Sequence, residues 1–220
     1  MPVYVGFDCS TQSLSAVALA VEPGRREVVF AHALRFDEHF PHYGTTNGVL
    51  PSADPLVARS SPLMWAEALD RMMAVIANDP KVARSSIAAI GGSAQQHGSV
   101  YLDETADATL AGLDAGTPLA AQIPGMFSRP DAPVWMDAST ARQCDAITAR
   151  LGGADAVARL TGSRAFPRFT GPQIRKFAED DPAAYQRTAT IHLVSSWLAS
   201  LLAGRRAPIE PGDGAGMNLM

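Results

Sequence analysis

VYVGFDCSTQSLSAVALAV, residues 3–21, decides the fold. Val3 to Phe7 is a short, apolar, β-rich run that meets an acid at Asp8. Ser10, Thr11, Gln12 and Ser13 follow as a polar turn, and Leu14 to Val21 resumes an apolar run. Pro23 and Gly24 break that run before a third, Glu27 to Ala33 (EVVFAHA). Three such runs joined by short polar breaks predict an antiparallel meander. A doubly wound nucleotide-binding fold sends its first strand into a glycine-rich turn and then a helix. Here the turn after Asp8 returns into another strand, so it reads as a phosphate-facing hairpin.

Working outward, Arg35 to Pro62 is a long irregular stretch punctuated by Pro41, Gly44, Gly48, Pro51 and Pro55. Loops of that length inside a compact domain are uncommon and often functional. Pro62 opens a helix through about Asn78, with Leu63, Trp65, Leu69, Met72, Met73 and Ile76 near helical spacing. Ile87 to Ser93 (IAAIGGS) predicts a buried fourth strand that leads directly into Gln95, Gln96 and His97. Ser99 to Leu102 predicts a further β segment. Thr105 to Pro133 is rich in Ala, Gly and Pro with little periodicity. Helices are expected at Ser139–Leu151, Ala154–Leu160, Pro172–Glu179, Pro182–Thr188 and Val194–Leu202, with Asp137 or Ser139 capping the first. The fold class is α/β: a mixed sheet with flanking helices and an additional, mostly helical region.

The net charge of −4 and the pI of about 5.7 leave no basic surface of the kind nucleic acid requires. No apolar run reaches the roughly 20 residues that span a bilayer. Met1 to Asp8 reads as a strand and not as a signal peptide. Cys9 and Cys144 lack metal-ligand spacing and fit a reducing compartment. A cytoplasmic location is expected, with no membrane and no nucleic-acid partner. Charged residues make up 18% of the chain, against a norm of about 25%, so some surface is expected to be covered.

The chemistry gathers in four segments. In FDCSTQS, an acid at a strand end followed by hydroxyls suits a Mg²⁺–phosphate site, although Asp and Ser also satisfy their own backbone in ordinary turns. Gln95, Gln96 and His97 follow an apolar strand, where α/β proteins place ligands, and offer donors and acceptors matched to sugar hydroxyls. A core histidine beside a turn is an equal reading of that segment alone. Trp135 in PVWMD offers a face for sugar C–H groups or a core filler. Arg164 and Arg168 lie among aromatics, where a surface salt bridge competes with bidentate ligand binding. His39 and His42 have i, i+3 spacing, but Pro41 lies between them and no carboxylate–His pattern in the sequence completes a metal site.

Together these segments resemble one family, and the similarity runs from about residue 3 to residue 220. FDCSTQS (7–13) is similar to the first phosphate motif of the FGGY carbohydrate kinases, within the ribonuclease H-like, actin-like ATPase superfamily. SSPLMWAEALD (60–70), GGSAQQHGSVY (91–101), PVWMDASTARQC (133–144), LTGSRAFPRFTGPQI (160–174) and DGAGMNLM (213–220) resemble segments of its D-xylulose kinase branch. The resemblance implies ATP-dependent phosphorylation of D-xylulose to D-xylulose 5-phosphate, with ATP and Mg²⁺ as cofactors. It implies that Asp8 positions the metal, that Ser10, Thr11 and Gln12 face the transferring phosphate, and that Gln96, His97 and Arg168 contact the sugar. Trp135 and Asp137 match a motif near the sugar site. The wider family often carries Gly and a basic residue where Ser10 and Ser15 stand here.

The resemblance further implies that residues 1–220 form the N-terminal sugar-binding domain, incomplete at its C-terminal end and lacking the nucleotide-binding domain. The catalytic aspartate is expected beyond Met220, so the chain alone is expected to be inactive. Surface meant for the missing partner domain leads to an expectation of self-association as a homodimer. Two alternatives stand beside this reading: an FGGY kinase for another ketose or polyol, and a stand-alone sugar-binding or regulatory module.

Overall fold

The computed structural model describes residues 1–217. The last three residues of the DGAGMNLM segment, Asn218, Leu219 and Met220, lie outside the described residues. The opening meander is present as β1 (Val3–Cys9), β2 (Ser13–Glu22) and β3 (Arg25–Arg35), all antiparallel. Strict alternation turns Val3, Val5, Phe7 and Cys9 into the core and leaves Tyr4, Gly6 and Asp8 on the open face. Asp8 therefore lies within the strand, one residue before its end.

The long irregular stretch is less irregular than its prolines predict. It holds α1 (Phe36–His39), a short 3₁₀ turn at Pro41–Tyr43 and β4 (Arg59–Ser60). Next comes α2 (Pro62–Asn78), with the bounds its periodicity predicts and Pro62 in the first turn. Its face of Met64, Trp65, Leu69, Met72 and Ile76 is at most 1% exposed and packs into the cluster that holds Val3, Val5 and Phe7. Side chains of this size contribute about 1.5–3 kcal/mol each when fully buried.

β5 (Ile87–Ala94) then runs parallel to β1, and the sheet order becomes β3-β2-β1-β5, the mixed sheet expected. One expectation fails here: residues 88–93 are exposed, not buried. Among the described residues β5 is hydrogen-bonded on one side only, and Gly91 and Gly92 have no side chains with which to build a cover. The backbones are close, since a Cβ on Gly92 would stand 2.9 Å from the Phe7 carbonyl oxygen. An apolar cavity of about 450 Å³ lies over this strand, bordered by Phe7, Leu69, Ile90 and Leu198.

β6 (Ser99–Leu102) is buried at every position and is the centre of a second sheet. The stretch read as unpatterned supplies α3 (Ala106–Ala111), α4 (Leu119–Gln122), β7 (Phe127–Arg129) and β8 (Ala132–Pro133). β7 pairs with β6, and β8 pairs with β4. The helical region follows as α5 (Ala141–Arg150), α6 (Ala154–Thr161), α7 (Thr170–Asp180) and α8 (Pro182–Gln186). α5 begins after Thr140 without a side-chain cap; Ser139 is bonded to Asp137 instead, so neither residue caps it. Asp181 caps α8, accepting from the Ala184 N–H at 2.9 Å. β9 (Thr190–Leu193) returns to pair with β6 and passes directly into α9 (Val194–Ala203), and α10 (Pro211–Met217) ends the described chain. Among the described residues, no helix is long and apolar enough to cross a membrane.

Candidate functional site

The turn between β1 and β2 is closed by its own serines. The Ser10 N–H donates to the Ser13 carbonyl at 2.9 Å, and the two hydroxyls lie 3.1 Å apart. The Ser13 N–H also donates to the Ser10 hydroxyl at 3.2 Å. The Ser10 hydroxyl is thus engaged inside the turn, whereas Gln12 projects outward, its carbonyl accepting from the Phe36 N–H at 2.9 Å. Asp8, opposite Ser93 in the β1–β5 register, accepts from the Ser93 hydroxyl at 2.9 Å through one carboxylate oxygen.

Thr11 ties the turn to two distant segments. Its hydroxyl accepts from the Trp135 indole N–H at 2.8 Å and faces the Gln95 side-chain oxygen at 3.4 Å. Gln95 is itself placed by the sheet, since its N–H donates to the Cys9 carbonyl at 2.8 Å, extending the β1–β5 ladder. The long loop presses on the same turn from another side. Asp37 accepts from the Thr45 hydroxyl and from the Asn47 and Gly48 N–H groups, which holds its carboxyl below the usual range against the upward effect of desolvation. Gly48, at φ +76°, lies so close to Thr11 that a Cβ would come within 1.8 Å of its carbonyl oxygen. Only glycine fits there.

Beyond Gln95 the chain turns through His97 at φ +65°, in the left-handed region that costs a non-glycine residue about 1–3 kcal/mol. The ring is 7% exposed and stacks on Phe169 at 5.0 Å. Phe169 in turn packs edge-on against Phe166, whose ring carries the Arg168 guanidinium at 5.9 Å. Burial first, then the positive Arg168, hold the His97 imidazole below its ordinary value; Asp213 of α10 pulls it back upward. His97 is therefore neutral near pH 7, with one donor and one acceptor nitrogen.

Gln95, Gln96, His97, Trp135 and Arg168 line one open cavity of about 380 Å³. The structure thus brings together three segments that lie up to 73 residues apart, Gln95 to Arg168. The Gln95 amide nitrogen is buried and donates to none of the described residues, although its oxygen is engaged by Thr11. The larger apolar cavity over β5 offers no comparable polar set, so ligand chemistry belongs to the smaller one.

Asp137 is not part of this cavity. It is 2% exposed and accepts from the Ala58 N–H, the Ser139 N–H and hydroxyl, and the Gln173 amide. It fixes the loop before α5 to α7, and through Gln173, which also donates to the Pro167 carbonyl, it braces the residue preceding Arg168. Sequence reasoning underrated Gln95 and missed the Thr11–Trp135 bond, Gly48 and Asp213. The Asn47-Gly48 dipeptide was the one local signal among these, as a turn pair.

Asp8 offers a carboxylate on the exposed face beside the turn, and only one of its oxygens bonds to a described residue. No cluster of three or more His, Cys, Asp or Glu able to hold a metal exists among the described residues. A single carboxylate is nevertheless consistent with Mg²⁺, which keeps several waters and binds largely through phosphate oxygens.

No protein-family model matches the chain. It is 42% identical over 216 residues to the xylulose kinase of Mus musculus, covering 98% of this chain and 38% of that protein. It is 42% identical over 219 residues to the xylulose kinase of Rattus norvegicus, covering 98% of this chain and 40% of that protein. The chain spans about two fifths of the length of the curated relatives it matches. Among solved structures, the xylulose kinase from Rhodospirillum rubrum superposes with a TM-score of 0.68 at 18% identity, over 92% of this chain and 35% of the other. That similarity shows a shared fold. The resemblance to sugar kinases read from the sequence is borne out along the chain.

Proposed function

We propose that this chain supplies the sugar-binding part of an ATP-dependent carbohydrate kinase that converts D-xylulose to D-xylulose 5-phosphate. The observation that carries the reading is the convergence of Gln95, Gln96, His97, Trp135 and Arg168 on one cavity next to the β1–β2 turn. Its size suits a five-carbon sugar, and its lining mixes an aromatic face with donors and acceptors, as a polyol requires. The Gln95 amide and the Arg168 guanidinium donate to sugar oxygens. The neutral His97 ring, held by Phe169, presents its polar edge to the sugar. Trp135 covers the C–H face.

The turn gives this cavity its reactive end. Thr11, bonded to two cavity residues, and the outward Gln12 present that end to the phosphoryl group, while Ser10 keeps the turn closed. Asp8 would hold Mg²⁺ through its unengaged oxygen. Bound there with ATP, the metal would offset the negative charge of the transferring phosphoryl group. The rest of the reaction, including removal of the proton from the attacking hydroxyl and nucleotide binding, falls in our reading to the portion of the relatives' length that this chain does not span. That division rests on the 38% coverage of the relatives.

Calorimetric titration of sugars into the chain, in phosphate-free buffer, tests the reading. D-Xylulose is expected to bind about tenfold or more tightly than D-ribulose or glycerol, and His97→Ala is expected to weaken it by a similar factor, the loss of one to two buried hydrogen bonds. Tighter binding of another sugar would reassign the substrate within the carbohydrate kinases. A folded chain that binds no sugar would overturn the role given to the cavity.

A further inference from the structure

A second group of charged side chains shares no lining residue with the sugar cavity. Arg59, Ser128, Arg129, Asp131, Lys176 and Asp180 border a cavity of about 180 Å³ between β4, β7 and α7. Arg129 is only 7% exposed, and its guanidinium carbon lies 5.1 Å from the ring centres of both Tyr101 and Phe177. Aromatic faces satisfy the flat side of a guanidinium but not its in-plane N–H groups, and here the Tyr101 hydroxyl engages only part of that edge. The Nη1 of Arg129 and the Nε of Arg59 are both buried and donate to none of the described residues.

A guanidinium does not shed its proton to escape such a site. The two cations also repel each other, and burial together with Arg59 pulls the Arg129 guanidinium below its ordinary value. Asp137 lies near enough to attract Arg129, but its oxygens are already engaged by Ala58, Ser139 and Gln173. None of the ion pairs among the described residues involves Arg59, Arg129 or Lys176. Lys176 reaches the same region, its amine donating to the Ser139 hydroxyl at 2.6 Å.

We propose that this cavity binds a small tetrahedral oxyanion, phosphate or the phosphoryl end of a small phosphomonoester, bridged between Arg59 and Arg129 with Lys176 beside it. A bridging anion accepts from both orphaned N–H groups and offsets the repulsion between the two cations. The carboxylates of Asp131, Asp180 and Asp181 on the lining exclude an extended polyanion, so the ligand is small. The proposal is independent of the sugar reading, because no group in it lines the sugar cavity.

The test is calorimetric titration of inorganic phosphate, and separately of glycerol 3-phosphate, into the 220-residue chain in chloride buffer. One saturable site is expected for at least one of these probes. Arg59→Gln and Lys176→Gln are each expected to weaken it by about tenfold, the scale of one charge-assisted hydrogen bond. Arg168→Gln, which removes the cation of the sugar cavity, is expected to leave it unchanged. Arg129 is left intact because its burial makes a substitution there a test of folding. No saturable binding of either probe by the folded chain would overturn the proposal. So would binding that disappears in Arg168→Gln and survives in Arg59→Gln and Lys176→Gln.

Discussion

His97 concentrates the strain of the site. Its positive φ is accompanied by a ring clamped on Phe169. Asn enters the left-handed region more readily than Ala. His97→Asn is therefore expected to retain more stability than His97→Ala in urea denaturation, by about 0.5–1 kcal/mol, while both weaken sugar binding about tenfold. Equal stabilities would show that the backbone strain is not felt. Gln96, His97 and Arg168 were legible in the sequence because each belongs to a compact polar motif beside an apolar or aromatic run. Gln95 was harder to rank: its link to Thr11 crosses 84 residues and leaves no trace in local spacing. Asp137 was matched only to a motif near the sugar site, and a motif does not tell a buried carboxylate that organises loops from one that meets a ligand.

At the scale of elements, length decided what could be read. α2 covers 17 residues, enough turns for its apolar period to show both ends. β4, β7, β8 and β9 have two to four residues each, too few for any alternation to appear. IAAIGGS marked β5 correctly as a strand, but an apolar run carries the same signal in the middle of a sheet and at its margin, so burial was misjudged. Two outcomes follow from the packing. Leu69→Ala in α2, at a side chain 1% exposed, is expected to cost about 2–5 kcal/mol in chemical denaturation. An exposed, uncharged edge strand is a template for pairing with another chain. Ile90→Lys, at a side chain 38% exposed, is expected to lower self-association of the chain in sedimentation velocity experiments with no loss of folding. An unchanged mass distribution would place any self-association elsewhere.

For the whole molecule, two buried histidines set the response to acid. Burial is the main cause that lowers His97 and also His192, with Arg168 and Arg206 respectively adding to it. In the unfolded chain both titrate near 6.5. The unfolded state therefore takes up protons first as pH falls, so the stability these rings support is complete above about 6.5 and drains away below it. Melting temperature is expected to drop between pH 7 and 5, and His192→Leu is expected to flatten that drop; an identical pH profile in the variant would refute the assignment. The mixed sheet and the helical remainder were legible because the meander and the long helix α2 stand out in the apolar pattern; the placing of β5 beside β1 was not. The second, β6-centred sheet was not, since its strands come from three separated stretches. One shared hydroxyl has a consequence for how this molecule can change over generations. Thr11 accepts from Trp135 and donates toward Gln95, so residues 11, 95 and 135 inherit one another's errors. A library that varies them singly would score each as indispensable, whereas one that varies all three jointly would recover compensated combinations, a local epistasis written by a single oxygen atom.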